Sequence, residues 1–351
     1  MHFYLTKCKI YPSMKKTFAL LSLGLVSSAL LSSANAAETN LKFTLDFLIQ
    51  GPQAPFIVAL EKGYYKAQGL NVTIDRGFGS SDAAGKVATG AYDMGFADIN
   101  AVIEFNAKNP GREVIAVAMI YDIPPFSVLT LKKSGIKTPK DLEGKSLAAP
   151  AGDAARRAFP IFAEANGVDA SKVKFVTVDA PLREPTLVRG QADGITGFYF
   201  TSLLSLKNAG VNPEDVVAFQ YGSSVKDLYG NAVVVTPAFA KKNPAAVRGF
   251  LKALMLGFSD TLKNPDEAIS FLKKRDALIN ESLEKERLML AFKNNVFTPD
   301  AKRFGLGYVQ SARLERSIKL LTKTFDLPRV LPVNLVYSNV YLPPLSQRLF
   351  K

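Results

Sequence analysis

Histidine, cysteine and tryptophan are all but missing from this chain, whose 351 residues hold one His2, one Cys8 and no Trp. Both single residues precede Met14, so residues 37–351 contain none of the three. That composition excludes Ser-His-Asp triads, thiolate nucleophiles and zinc sites built on His or Cys. Carboxylates, lysines and tyrosines are what remains for catalysis. No D-x-D-x-D-G loop is present to hold calcium. Neither a metal site nor a cofactor is expected. Long apolar runs are also lacking: after Leu31 none reaches the roughly 20 residues of a membrane span.

Runs of like charge are scarce too. The net charge is +13, of which Lys7, Lys9, Lys15 and Lys16 supply four, leaving +9 for residues 37–351. The basic residues alternate with acids and never form a block of five or six, so they read as a solvated surface. Nucleic acid is not an expected partner, although mild steering of an anionic solute fits this balance.

What is present begins with an export leader. Lys15 and Lys16 precede an apolar run from Phe18 to Leu31, and Ala34-Asn35-Ala36 forms a small-x-small cleavage site. Residues 1–36 are read as a signal peptide with Met14 as the true start, and the chain is expected in the periplasm. No cysteine follows the cleavage site to carry a lipid. The exported chain uses no disulfide even in an oxidising compartment, and two lobes of this size need none.

The remainder alternates strand and helix patterns. Leu41 to Phe47 alternates as a strand, a Gly-Pro loop follows, and Pro55 opens a helix that Gly63 closes. Strands at Leu70–Asp75, Met94–Ala97 and Val114–Tyr121 continue the series. It restarts after Phe126–Leu131 with strands at Ser146–Ala149, Val173–Val178 and Gly194–Phe198. Ala232 to Thr236 is a further buried run, beyond which Asn243–Lys263, Asp266–Lys274, Glu281–Lys293 and Gly307–Thr324 read as helices. The expected fold is α/β, with two lobes that are each a mainly parallel sheet flanked by helices. Residues 37–131 and 232–351 form the first lobe and 132–231 an inserted second lobe. Two extended crossovers form the hinge, and the ligand belongs beyond the carboxyl ends of the strands.

Ala59-Leu60-Glu61-Lys62-Gly63-Tyr64-Tyr65-Lys66-Ala67-Gln68-Gly69-Leu70-Asn71-Val72 and Gly90-Ala91-Tyr92-Asp93-Met94-Gly95-Phe96 carry a family resemblance. Asp141-Leu142-Glu143-Gly144-Lys145 and Val188-Arg189-Gly190-Gln191-Ala192-Asp193 fit the same pattern. The chain resembles the periplasmic solute-binding proteins of ABC importers, in the branch for thiamine precursors, sulfonates and nitrate (type II periplasmic binding proteins). The resemblance implies a two-lobe fold that closes on a small solute and docks on an inner-membrane permease. A monomer is expected. One branch of the resemblance contains enzymes that make a thiamine pyrimidine with a cysteine-rich motif and an active-site histidine, and residues 37–351 offer neither.

Candidate contacts follow from the loops after the strands. Asp46 can accept from a ring amine or hydroxyl, or cap its turn. Gln50 and Gln53 offer amides from the Gly-Pro loop, while Phe56 reads as core. Gly77-Phe78-Gly79-Ser80-Ser81-Asp82 is half a dinucleotide fingerprint whose Asp82 would repel pyrophosphate. Its Ser80 and Ser81 can hold a carboxylate or sulfonate, with Ser81 as the alternative N-cap. Asn100 can close the same wall, with Asp98 expected to cap a helix. Tyr121 can stack and donate. Arg156 or Arg183 can fork onto a carboxylate, Arg183 being alternatively paired with Glu184 or Asp179. Phe198 and Tyr199 suggest a stacking wall for a planar solute, Phe200 reads as core, and Tyr221 is a further candidate. The functions expected are binding of a planar acid, a nitrogen heterocycle or a sulfonate, against a secreted carboxylate enzyme using Asp46 and Asp98, or a solute sensor.

Overall fold

A computed structural model of the chain describes residues 38–350. The expected leader, 1–36, lies outside them. Among the described residues no helix is long and apolar enough to cross a membrane.

Four strands come first: β1 (Thr39–Thr44), β2 (Leu70–Asp75), β3 (Met94–Asp98) and β4 (Ile115–Met119). Five more follow: β5 (Phe126–Leu131), β6 (Ser146–Ala149), β7 (Lys174–Thr177), β8 (Gly194–Phe198) and β9 (Val216–Gln220). β10 (Asn231–Val235) then returns to the first group. The sheets have the orders β2-β1-β3-β10-β4 and β7-β6-β8-β5-β9. Every residue of β3, β4, β5 and β10 is buried, as strands covered on both faces must be. The edge strand β2 alternates buried and exposed residues instead.

In each sheet four strands run one way, while β10 or β5 runs against them. Those two are the strands reached directly from a crossover. A chain that leaves one sheet at its carboxyl end and reaches the other at the facing end must run against its new neighbours.

The crossing lies earlier than expected. The chain leaves the first sheet after Met119, and Phe126–Leu131 is already the second sheet's β5. A fully buried extended run carries no periodic signal to say which sheet holds it. The two straps, 120–125 and 221–230, lie side by side. The Ile120 and Tyr121 amides both donate to the Asn231 carbonyl at 2.9 Å, and the Gly230 amide donates to the Tyr121 carbonyl at 2.9 Å. The second strap is not wholly extended, since Tyr221–Ser224 forms one helical turn.

Helices Pro237–Lys242, Pro244–Lys263, Pro265–Arg275, Glu281–Ala291, Pro299–Phe304 and Ser311–Thr324 follow, with 3-10 turns beyond them at Val333–Leu335 and Leu345–Gln347. The expected Glu281–Lys293 helix becomes a π-turn over Phe292–Val296. The expected Gly307–Thr324 helix starts at Ser311, since the Gly307 φ of 97° lies outside any α-helix. Phe250 joins this C-terminal part to the first sheet. Rings run in contact from Tyr65 through Phe250, Phe43, Phe56 and Phe96 to Tyr121, with neighbouring centroids 4.8–5.3 Å apart. Each such pair adds about 0.5–1.5 kcal/mol beyond its burial. The row reaches the first strap at Tyr121.

Candidate functional site

The loops after β1 and β2 are laced together before they meet anything else. The Leu45 amide donates to the Asp75 carbonyl (2.8 Å), Gly77 to Phe47 (2.9 Å) and Gly79 to Asp46 (2.7 Å). Gln50 and Gln53 cap each other around the turn Gly51–Gln53, the Gln50 amide donating to Gln53 Oε1 at 3.2 Å. From the second lobe, Asp153 caps the helix Ala154–Ala165 by accepting from the Arg156 amide at 2.8 Å. These loops line a small pocket between the two sheets. Asp46, Phe47, Gln50, Gln53, Gly79 and Ser80 line it from one side, and Asp153, Ala154, Arg183, Phe198 and Thr201 from the other.

Two contacts bring the walls together. The Thr201 hydroxyl donates to Gln50 Oε1 at 3.1 Å. Gly79 meets Gly152 backbone to backbone: a Cβ at Gly79, where φ is 125°, would lie 2.4 Å from the Gly152 carbonyl oxygen. Gly152, in the turn before Asp153, therefore admits the opposite wall. Arg157–Glu104, Lys323–Glu164 (2.8 Å) and Lys207–Glu286 (2.6 Å) are further ion pairs between the lobes.

Asp46 is buried, and Asn231 Nδ2 (2.8 Å) and Gln53 Nε2 (3.4 Å) both donate to its carboxylate. Burial nevertheless dominates those bonds and pushes the Asp46 carboxyl up to about 7. Burial also raises Asp153, against the pull of the Arg183 charge. Arg183 is the only cation among the described residues lining the cavity, and it is spoken for. Its Nε and Nη2 fork onto Glu184 Oε1 at 2.9 and 2.7 Å, and Nη1 reaches Asp153 Oδ2 at 3.5 Å. With two carboxylates, Glu184 and Asp153, already around the one guanidinium, the electrostatics do not favour an anion. Phe47 and Phe198 supply ring faces, and Gln50, Gln53, Ser80 and Thr201 supply neutral donors and acceptors.

Of the residues singled out by sequence, Asp46, Gln50, Gln53, Ser80, Arg183 and Phe198 meet in this cavity. The other six lie elsewhere. Ser81 sits half-buried in the first turn of the helix Ser80–Ala88, whose N-cap is Gly79. Asn100 donates to Asp98 Oδ2 (3.0 Å) and the Tyr229 carbonyl (2.7 Å) inside the first lobe, and Asp98 caps its helix as expected. Tyr121 packs edge-on against Phe96, Phe198 and Phe200, with a buried hydroxyl that finds no partner. Arg156 turns outward to the Ala149 carbonyl and Thr177 and lies over Phe175. The Tyr199 amide donates to the Pro125 carbonyl at 2.7 Å, and its side chain does not line the cavity. Tyr221 stacks on Phe162 at 4.5 Å and donates to the Ala155 carbonyl, as a core residue. Phe47 and Thr201 were missed. Phe47 follows Asp46 in the strand that sequence marked, and Thr201 lies three residues past the marked strand end at Phe198, so nearness to a strand end was the available signal.

The model of the NMT1/THI5-like family matches residues 51–268. The riboflavin-binding protein RibY of Chloroflexus aurantiacus is 25% identical over 299 residues, covering 83% of this chain and 82% of the relative. A 4-amino-5-hydroxymethyl-2-methylpyrimidine phosphate synthase of Legionella pneumophila is 22% identical over 313 residues, covering 88% and 94%. Among solved structures, the alkanesulfonate-binding protein SsuA of Xanthomonas axonopodis pv. citri, bound to MOPS, superposes with a TM-score of 0.69. It shares 14% identity, over 86% of this chain and 99% of that one, and so carries the fold alone: that of the periplasmic binding proteins.

Proposed function

Because the chain belongs to the NMT1/THI5-like family, we propose that it is the extracytoplasmic solute-binding component of an ABC importer. Its cargo is a small planar nitrogen heterocycle carrying a ring amine, delivered from the periplasm to an inner-membrane permease. The observation that carries this reading is the pocket walled by both lobes, lined by the buried Asp46 and by the rings of Phe47 and Phe198. A carboxylate poised near neutrality accepts from an amine or a protonated ring nitrogen, and rings flank the plane. Arg183, held by Glu184 and Asp153, supports neither the planar acid nor the sulfonate that sequence left open.

Binding is favoured over synthesis on composition. Residues 37–351 hold no histidine or cysteine for a synthase of the kind the Legionella relative is named for. Native mass spectrometry of protein purified from its host tests the proposal. An adduct with the mass of an intact heterocyclic amine supports it. Steady release of a product from that compound would replace a binder with an enzyme.

A further inference from the structure

One C-terminal side chain reaches both straps. Arg313, in the helix Ser311–Thr324, donates through Nη1 to Asp122 Oδ1 (2.9 Å) and through Nη2 to the Asp122 carbonyl (2.8 Å). The same Nη2 donates to the Leu228 carbonyl at 2.6 Å, in the other strap. Its guanidinium lies 3.8 Å from the centroid of Tyr229, also in that strap. The π-turn adds a second grip, Asn295 Nδ2 donating to the Ile123 carbonyl at 3.0 Å. The Gln310 amide adds a third, donating to the Tyr229 hydroxyl at 2.9 Å.

We propose that Arg313 is a positioning residue that makes the C-terminal helix a third member of the hinge, limiting how far the lobes part. The inference rests on the solute-binding reading, since only a protein that opens needs its opening limited. Opening requires the φ and ψ angles of 120–125 and 221–230 to change. A planar fork bonded to carbonyls of both straps resists their separate movement, and a lysine ammonium has no such fork. Restricting the open arm raises the share of molecules near the closed form, and apparent affinity follows that share.

Residues 37–351 contain no cysteine, so two introduced ones report lobe separation cleanly. In a Cys8→Ser background, spin labels at Lys66→Cys and Lys174→Cys, one on each lobe, give the distance distribution. Arg313→Ala is expected to raise the ratio of long to short distances about tenfold, the loss of one charge-assisted bond. Arg313→Lys is expected to behave as the alanine does, and Lys319→Ala, on the same helix, as the parent. Asn295→Ala shifts the distribution the same way by a smaller step, and serves if Arg313→Ala does not fold. Parent-like distances in Arg313→Lys and Asn295→Ala would overturn the inference. A parent distance that is single and unchanged between native protein and protein refolded free of solute would defeat the hinge reading itself.

Discussion

Thr201 donates its hydroxyl to Gln50 Oε1 across the cleft at 3.1 Å, and both residues line the cavity. The bond joins the loop after β1 to the first turn of a second-lobe helix, so it exists only while the lobes are together. Thr201→Val keeps the shape and removes the donor. The expected result is a two- to tenfold weaker solute affinity, the worth of about 0.5–1.5 kcal/mol, with an unchanged circular dichroism spectrum. Calorimetric titration with the co-purified solute measures it.

Gly79 offers a sharper steric test. A methyl group there would sit 2.4 Å from the Gly152 carbonyl oxygen, at a φ of 125° that side chains avoid. Gly79→Ala is expected to lower affinity more than tenfold by blocking closure. Gly85→Ala, in the same helix with nothing within 4 Å of its new methyl, is expected to stabilise by about 0.5–1 kcal/mol and leave binding intact. Equal affinities for the two variants would remove the backbone contact from the closure mechanism.

Asp46 makes the protein sensitive to pH in a defined direction. Burial lifts its carboxyl from 3.8 to about 7, so between those values the folded state holds a proton that the unfolded state has lost. Stability is fully present below 3.8, falls as pH rises through this window, and levels above 7. At roughly 1.4 kcal/mol per unit, the penalty is on the order of a few kcal/mol. Asp46→Asn is expected to melt higher than the parent at pH 8 and alongside it at pH 4.

Binding carries the opposite slope for the proposed cargo. A cationic or amine-bearing heterocycle gains affinity from pH 5.5 to 8 as the Asp46 carboxylate forms, whereas an anion loses it. Titrations at three pH values separate the two cargo classes without knowledge of the pose.

Arg183 should be felt in folding before binding. Removing it leaves Glu184 and Asp153 buried and uncompensated, and such a loss costs about 3–5 kcal/mol. Arg183→Met is expected to lower the melting temperature strongly, and Arg183→Met with Glu184→Gln to recover part of it. A fully stable Arg183→Met that simply fails to bind would restore the guanidinium to the role of anion receptor.

The frame was legible because strand runs, glycine turns and helix caps each leave local marks. Asp46, Gln50, Gln53 and Ser80 were found by the rule that ligands gather beyond strand carboxyl ends. That rule locates a Cα and says nothing of the direction of its side chain. Tyr121 and Phe198 both stand at such ends, yet Phe198 faces the cavity while Tyr121 faces Phe96 and Phe200. Arg156 failed in the same way, its first-turn position being right and its rotation about the helix wrong. Arg183 met both readings written for it, lining the cavity and pairing with Glu184. The straps' dependence on Arg313 had no local mark, because the residues involved are about 85 to 191 positions apart.

The placement of β10 sets an order of events during synthesis. β10 fills the gap between β3 and β4, yet more than a hundred residues separate it from either strand along the chain. The ribosome has released every strand of the second sheet before it makes the one that completes the first. The second sheet thus has all its strands synthesised before the first sheet receives the one between β3 and β4.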